Sequence, residues 1–160
     1  IGDFERISDH AVNIMESAKE LHEKELRFSE KALEELKVIS KAVVDIVDIS
    51  YEVFENTNIE NAKRVEPLEE IIDELNKELK SRHVRRLREG KCTIEQGFIL
   101  SDITTSLERI ADHCSNIAVC ILQVAEDSFD THSYLNAVKR EDNATFQRRM
   151  DETRKQYPLP

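Results

Sequence analysis

Apolar residues recur along the chain at three-and-four spacing, the mark of helices that each bury one stripe. Ile7, Ala11, Ile14, Ala18 and Leu21 predict a first helix from about Asp3 to Glu25. Ser29 is a candidate N-cap for a second helix, with a stripe of Leu33, Leu36, Val43, Ile46, Val47 and Val53 and an end near Asn56-Thr57-Asn58. A third, from Ile59 to Arg88, carries Leu68, Ile71, Ile72, Leu75 and Leu79. Pro67 lies inside it and has no amide to bond to Lys63, which predicts a kink or a restart there. Gly90 closes that helix as a C-cap. Thr93 and Gln96 form a capping box for a fourth helix, which carries Phe98, Leu100, Ile103, Leu107, Ile110, Ile117, Ile121 and Val124 and ends near Asp127. A loop over Ser128 to Ser133 and a helical tail anchored by Tyr134, Leu135, Val138, Phe146 and Met150 follow, and Pro158 stops the tail. The short connections imply antiparallel neighbours, with helices two to four as an up-down-up bundle. The expected fold class is all-α, an antiparallel helical bundle.

Composition agrees with this. The 160 residues include only three Gly, three Pro and no Trp, with 35% charged residues, a poor mix for an all-β fold. The net charge of −10 argues against nucleic acid as a partner and suits a cation. Three cysteines, Cys92, Cys114 and Cys120, do not make a disulfide framework and indicate reduced thiols in a cytoplasmic setting. The longest run without Asp, Glu, Lys or Arg is His113 to Ala125, too short to span a bilayer as a helix.

An internal repeat is more informative. Glu5 to Ile14 (ERISDHAVNI) matches Glu108 to Ile117 (ERIADHCSNI) at seven of ten positions, offset by 103 residues. Unrelated pairs agree at roughly one position in twenty. The shared pattern is E-R-I-x-D-H-x-x-N-I. Two helices precede the second copy and almost nothing precedes the first, and the chain has no initiator Met. The expectation is a fragment that starts inside the last helix of a first three-helix repeat.

Helical spacing puts Glu5, Asp9 and Asn13 on one line, and Glu108, Asp112 and Asn116 on another, each nearly opposite the isoleucine stripe. Stacked carboxylates repel by a few tenths of a kcal/mol, and a bound cation turns that repulsion into coordination. Glu69 and Asp73 in the third helix repeat the spacing. The third and fourth helices are antiparallel neighbours, so their two pairs can meet across one seam. The simpler reading is a solvated acidic face, and Lys77 one turn past Asp73 favours it for that pair. Arg6 and Arg109 read as partners of nearby carboxylates, His10 and His113 as bundle histidines held by hydrogen bonds, and Cys114 as a small core residue.

The E-R-I-x-D-H-x-x-N-I motif at the end of each unit resembles the PhoU domain family, over Gly2 to about Asp127. The resemblance implies tandem three-helix bundles, no enzymatic activity, and metal, most often iron or zinc, held on the bundle surface by E(D)-x-x-x-D motifs. Glu108 and Asp112 match the motif of the final helix, Glu69 and Asp73 that of the helix before it, and Glu5 and Asp9 that of the first repeat's final helix. Ser106 stands where the first copy has Asp3, so the ligand sets of the repeats can differ. On this reading, residues 1–26 are the last helix of a truncated first repeat, 27–127 a complete three-helix repeat and 128–160 a helical tail. The tail, with its Tyr-Leu segment, Phe146, Tyr157, Pro158 and Leu159, is similar to the C-terminus of bacterial Na+/phosphate cotransporters.

That similarity implies a regulatory domain on the cytoplasmic side of the inner membrane. Its partner would be the membrane transporter domain of the same polypeptide; the first helix would pack on the second bundle or on another chain, the latter giving a homodimer. Nucleic acid is not an expected partner. A free-standing regulator of phosphate uptake and signalling is the near alternative. A structural interaction module and a His10 or His113 phosphotransfer bundle are more distant ones. A di-iron or di-manganese oxidase is the least suited, because such bundles use inward Glu-x-x-His motifs and none occurs here. No phosphate-binding G-x-x-x-x-G-K-[ST] loop is present either.

Overall fold

The computed structural model describes residues 2–125 and 143–160. Among them are five helices: α1 (Gly2–Glu23), α2 (Glu30–Asn56), α3 (Ile59–Arg88), α4 (Ile94–Ala125) and α5 (Asn143–Arg154). The expected loop at Ser128 to Ser133, the tail anchors Tyr134, Leu135 and Val138, and the end of the fourth helix at Asp127 lie outside the described residues.

Local chemistry sets the helix ends. The Ser29 hydroxyl accepts from the Ala32 amide, and the Asn58 side chain accepts from the Asn61 amide, each satisfying one orphan donor of a first turn. Thr93 and Gln96 close the capping box: the Gln96 amide donates to the Thr93 hydroxyl, and the Thr93 amide donates to the Gln96 side chain. At the end of α3, Gly90 adopts φ +66° while the Lys91 amide bonds back to the Arg86 carbonyl. A left-handed residue at that position costs least when it is glycine.

Helices α2, α3 and α4 pack against one another as the up-down-up bundle. Ile39, Ile46, Ile72, Leu79, Ile99 and Cys114 fill the core between them. Each fully buried Ile or Leu contributes about 1.5–3 kcal/mol. Glu35 is buried in this bundle, where Arg82 and Arg86 hold its carboxylate at 3.2 and 2.8 Å.

Helix α1 packs mainly on α4, and its Phe4 ring also meets Phe54 of α2 edge-on, with centroids 5.1 Å apart. The two run antiparallel: Asp3 meets His113 near one end, and Lys24 meets Glu95 at the other. Ile7, Ile14 and Leu21 are half-buried there, and no α1 residue is fully buried. Helix α5 lies along α3, and Met150 and Tyr157 reach the core.

Pro67 does not end α3, which runs from Ile59 to Arg88 without a restart. The Lys63 carbonyl that proline leaves without its helical donor accepts instead from the Arg149 guanidinium of α5, at 3.2 Å. Leu33, Phe98 and Val124, expected in the buried stripes, are exposed. Leu33 and Phe98 turn outward beside the buried neighbours Ala32 and Ile99, and Ala11 and Ala18, expected in the stripe of α1, are exposed too.

Candidate metal centre

The seam between α3 and α4 has a fixed register. The Ser115 hydroxyl donates to Glu66 at 2.7 Å, and the Asn76 amide donates to Glu108 further along. Glu69 and Asp73 lie between Glu66 and Asn76 on α3, and Asp112 lies between Glu108 and Ser115 on α4. Antiparallel packing therefore brings the two E-x-x-x-D pairs to one seam, as their spacing allows. They are not on an outer face, however: Glu69, Asp73, Glu108 and Asp112 are all half-buried, because α3 covers that side of α4.

Glu69 is the centre of this group. Burial first, then the carboxylates of Glu66, Asp73, Glu70 and Asp112, push its pKa up to about 8. Carboxylate oxygens of Glu66, Glu69 and Glu70 all lie within 4.8 Å of one another. At neutral pH and without a cation, Glu69 keeps its proton. A cation among these oxygens would relieve the repulsion and take the place of that proton.

The remaining members are partly neutralised. Lys80 approaches Glu108 at 3.6 Å, Lys77 approaches Asp73 at 3.6 Å, and Arg109 approaches Asp112 at 3.3 Å. Arg109 is thus a carboxylate partner, and so is Arg6, 3.9 Å from Asp9. Glu66 and Glu70 were not singled out by the motif. The signal that finds them is the run Glu66, Glu69, Glu70, at three-and-four helical spacing around Pro67.

Glu5 and Asp9 do not join the group. They are exposed on α1, which does not reach α3. The first copy of the motif meets the second through its histidines instead. His10 and His113 stack with ring centroids 5.9 Å apart. Asp3 accepts from His113 Nδ1 at 2.9 Å and from the Asn116 amide at 3.4 Å. His10 Nδ1 is buried without a hydrogen-bond partner among the described residues. The expected hydrogen bond is therefore present for His113 and absent at His10 Nδ1. Burial, then the neighbouring His113 and Arg109, lower the His10 pKa. Cys114 is buried as expected, and burial raises its thiol pKa to about 11.

A surface cavity of about 580 Å³ opens where α5 meets α2 and α3. Its wall includes Asp45, Asp48, Arg64, Arg149 and Tyr157. The Tyr157 hydroxyl donates to Asp45 at 2.6 Å, and Arg154 grips Glu74 with two hydrogen bonds of 3.1 and 2.9 Å. These contacts fasten the tail to the bundle. None of the described helices is long and apolar enough to cross a membrane.

Comparison with known proteins agrees with the bundle and its motif. The PhoU domain family matches residues 36–121. A Thermotoga maritima protein, the phosphate-specific transport system accessory protein PhoU homolog 1, is 30% identical over 122 residues. That alignment covers 76% of this chain and 52% of the relative, so the chain spans about half of the relative's length. No solved structure matches. With the α2–α4 bundle carrying the family match and the relative aligned over three quarters of the chain, the protein belongs to the PhoU domain family.

Proposed function

We propose that the chain is a non-enzymatic regulatory domain of phosphate transport that binds a metal ion at the α3–α4 seam. The observation that carries the metal reading is the placement of Glu69, half-buried among Glu66, Glu70, Asp73 and Asp112. Glu108 completes the pair with Asp112 from one turn away. An oxygen-only donor set fits hard cations. Of iron and zinc it favours iron, since zinc sites lean on His and Cys.

In this reading the metal ties α3 to α4 and fixes the charge and shape of the seam that a partner reads. The partner is a membrane transporter domain in the same polypeptide, of the Na+/phosphate cotransporter type, which places the domain at the cytoplasmic side of the inner membrane. The similarity of the tail, with Phe146, Tyr157, Pro158 and Leu159, to the C-terminus of such cotransporters is what supports that assignment. A free-standing accessory regulator is the second reading, favoured by the name of the Thermotoga relative.

Phosphate uptake in cells tests the function. Replacing the natural gene by an Asp112→Asn, Glu69→Gln form should change uptake or its response to external phosphate. Unchanged uptake with normal protein levels would contradict it.

A further inference from the structure

We propose that the tip of the α3–α4 hairpin is a docking surface for an anionic lipid bilayer. Charge is distributed unevenly along this chain. Residues 80–98 hold six Lys and Arg against two Glu, in a protein of net charge −10. Both of those acids are neutralised at the tip, Glu89 by Lys91 at 2.7 Å and Glu95 by Lys24 at 2.6 Å. Arg82 and Arg86 hold the buried Glu35. Arg85 and Arg88 remain exposed and close no ion pair among the described residues, although Arg85 acts on Glu89 through space.

Apolar side chains stand beside these guanidinium groups. Val84, Ile94 and Phe98 are 46%, 65% and 69% exposed. Gly97 fixes how they are arranged. A Cβ on Gly97 would meet His83 Nε2 at 2.9 Å, so residues 83 and 97 face each other across the seam. In two antiparallel helices, the next residue on each turns toward the same side. Val84 and Phe98 therefore project to one side, with Arg88 one turn beyond Val84 and Ile94 one turn before Phe98.

The surface is the end of a hairpin, where α3 turns into α4. Separate apolar tips beside unpaired arginines suit a lipid headgroup layer. Ile94 and Phe98 enter the acyl boundary, and Arg85 and Arg88 meet lipid phosphates. With the exposed arginines and apolar side chains together at this tip, the protein would bind with that end toward the bilayer. This inference is independent of the metal centre.

Vesicle binding of the purified chain tests it. The chain has no tryptophan, so Phe98→Trp supplies a single indole reporter. The chain should sediment with vesicles of equal parts phosphatidylglycerol and phosphatidylcholine and not with phosphatidylcholine alone. High salt should weaken that binding, and the indole emission of the Phe98→Trp chain should shift to the blue on adding the anionic vesicles. Joint Arg85→Glu and Arg88→Glu substitution should lower partition by at least about tenfold while circular dichroism stays unchanged. Several results would overturn the proposal: no anionic binding, equal binding to neutral vesicles, or indifference to the arginine reversals. So would an indole emission moved by self-association in sedimentation velocity, or by a purified transporter domain, but not by lipid.

Discussion

His10 stacks on His113 although the two lie 103 residues apart, because they hold the same position in two copies of one motif. The antiparallel pairing of α1 with α4 gives their contact a near two-fold character, which one residue breaks. Asp3 accepts a hydrogen bond from His113, whereas Ser106, the counterpart of Asp3, lines a cavity with His10 and makes no such bond to it. A buried nitrogen left unpaired weakens its site, typically by about 1–3 kcal/mol.

Acid should loosen α1. The His10 pKa is lowered from 6.5 in the folded protein, by burial and by His113, Arg109 and Arg6, with Asp9 opposing. The unfolded chain therefore takes up a proton first as pH falls. The stabilisation is present above about pH 6.5 and is lost as pH drops toward the lowered folded value. Hydrogen-exchange protection factors in α1 should fall between about pH 7 and pH 5, more than those of α2, which carries no histidine. His10→Gln should flatten this difference. Equal pH response in α1 and α2 would remove the histidine pair as its cause.

Ser106→Asp offers the converse change. It restores the missing partner on the His10 side and should raise stability by about 1 kcal/mol near pH 6, where a carboxylate beside imidazolium counts most. Urea unfolding reads the effect. A destabilised variant with an unchanged fold would mean that His10 and residue 106 do not meet.

Arg149 and Pro67 should be energetically coupled. Arg149→Met leaves the Lys63 carbonyl without a donor and should cost about 1–2 kcal/mol. In a Pro67→Ala background the helix supplies its own amide to that carbonyl, so the cost should shrink. A double-mutant cycle in chemical unfolding measures the difference, and a coupling near zero would contradict the account.

The tail latch can be tested alone. Tyr157→Phe removes the hydroxyl that donates to Asp45 and should cost about 1 kcal/mol, with Met150 packing retained. Protease sensitivity of α5 should rise in parallel. No change in either would mean that Met150 and the Arg154–Glu74 pair suffice to hold the tail.

The caps at Ser29, Thr93 and Gly90 were legible from sequence because each depends on residues within three or four positions. The meeting of the α3 and α4 motifs followed from spacing and a short connection. Packing between distant segments was not legible. Nothing near Pro67 reveals that Arg149, 82 residues later, supplies the missing donor. The stacking of His10 on His113 needs the pairing of α1 with α4, and periodicity in either helix says only that it has an apolar side. Partial burial of Glu69 had the same source, since a wheel places a residue on a face but not under a neighbour. Phe98 erred in the other direction, counted as core by its period and exposed because nothing covers it at the start of α4.

The metal content of the purified protein tests the central claim most directly. After loading with iron or with zinc and removal of free ion, elemental analysis of the natural chain should find metal well above trace. Glu69→Gln and Asp112→Asn, each folded by circular dichroism, should lose it, and Glu5→Gln should keep it, because Glu5 lies outside the α3–α4 seam. The Glu69→Gln chain should also be more stable than the metal-free natural chain at neutral pH, because folding no longer has to hold on Glu69 a proton that the unfolded chain releases. Only trace metal in the natural chain, or equal metal in the Glu69 and Asp112 variants, would contradict the account.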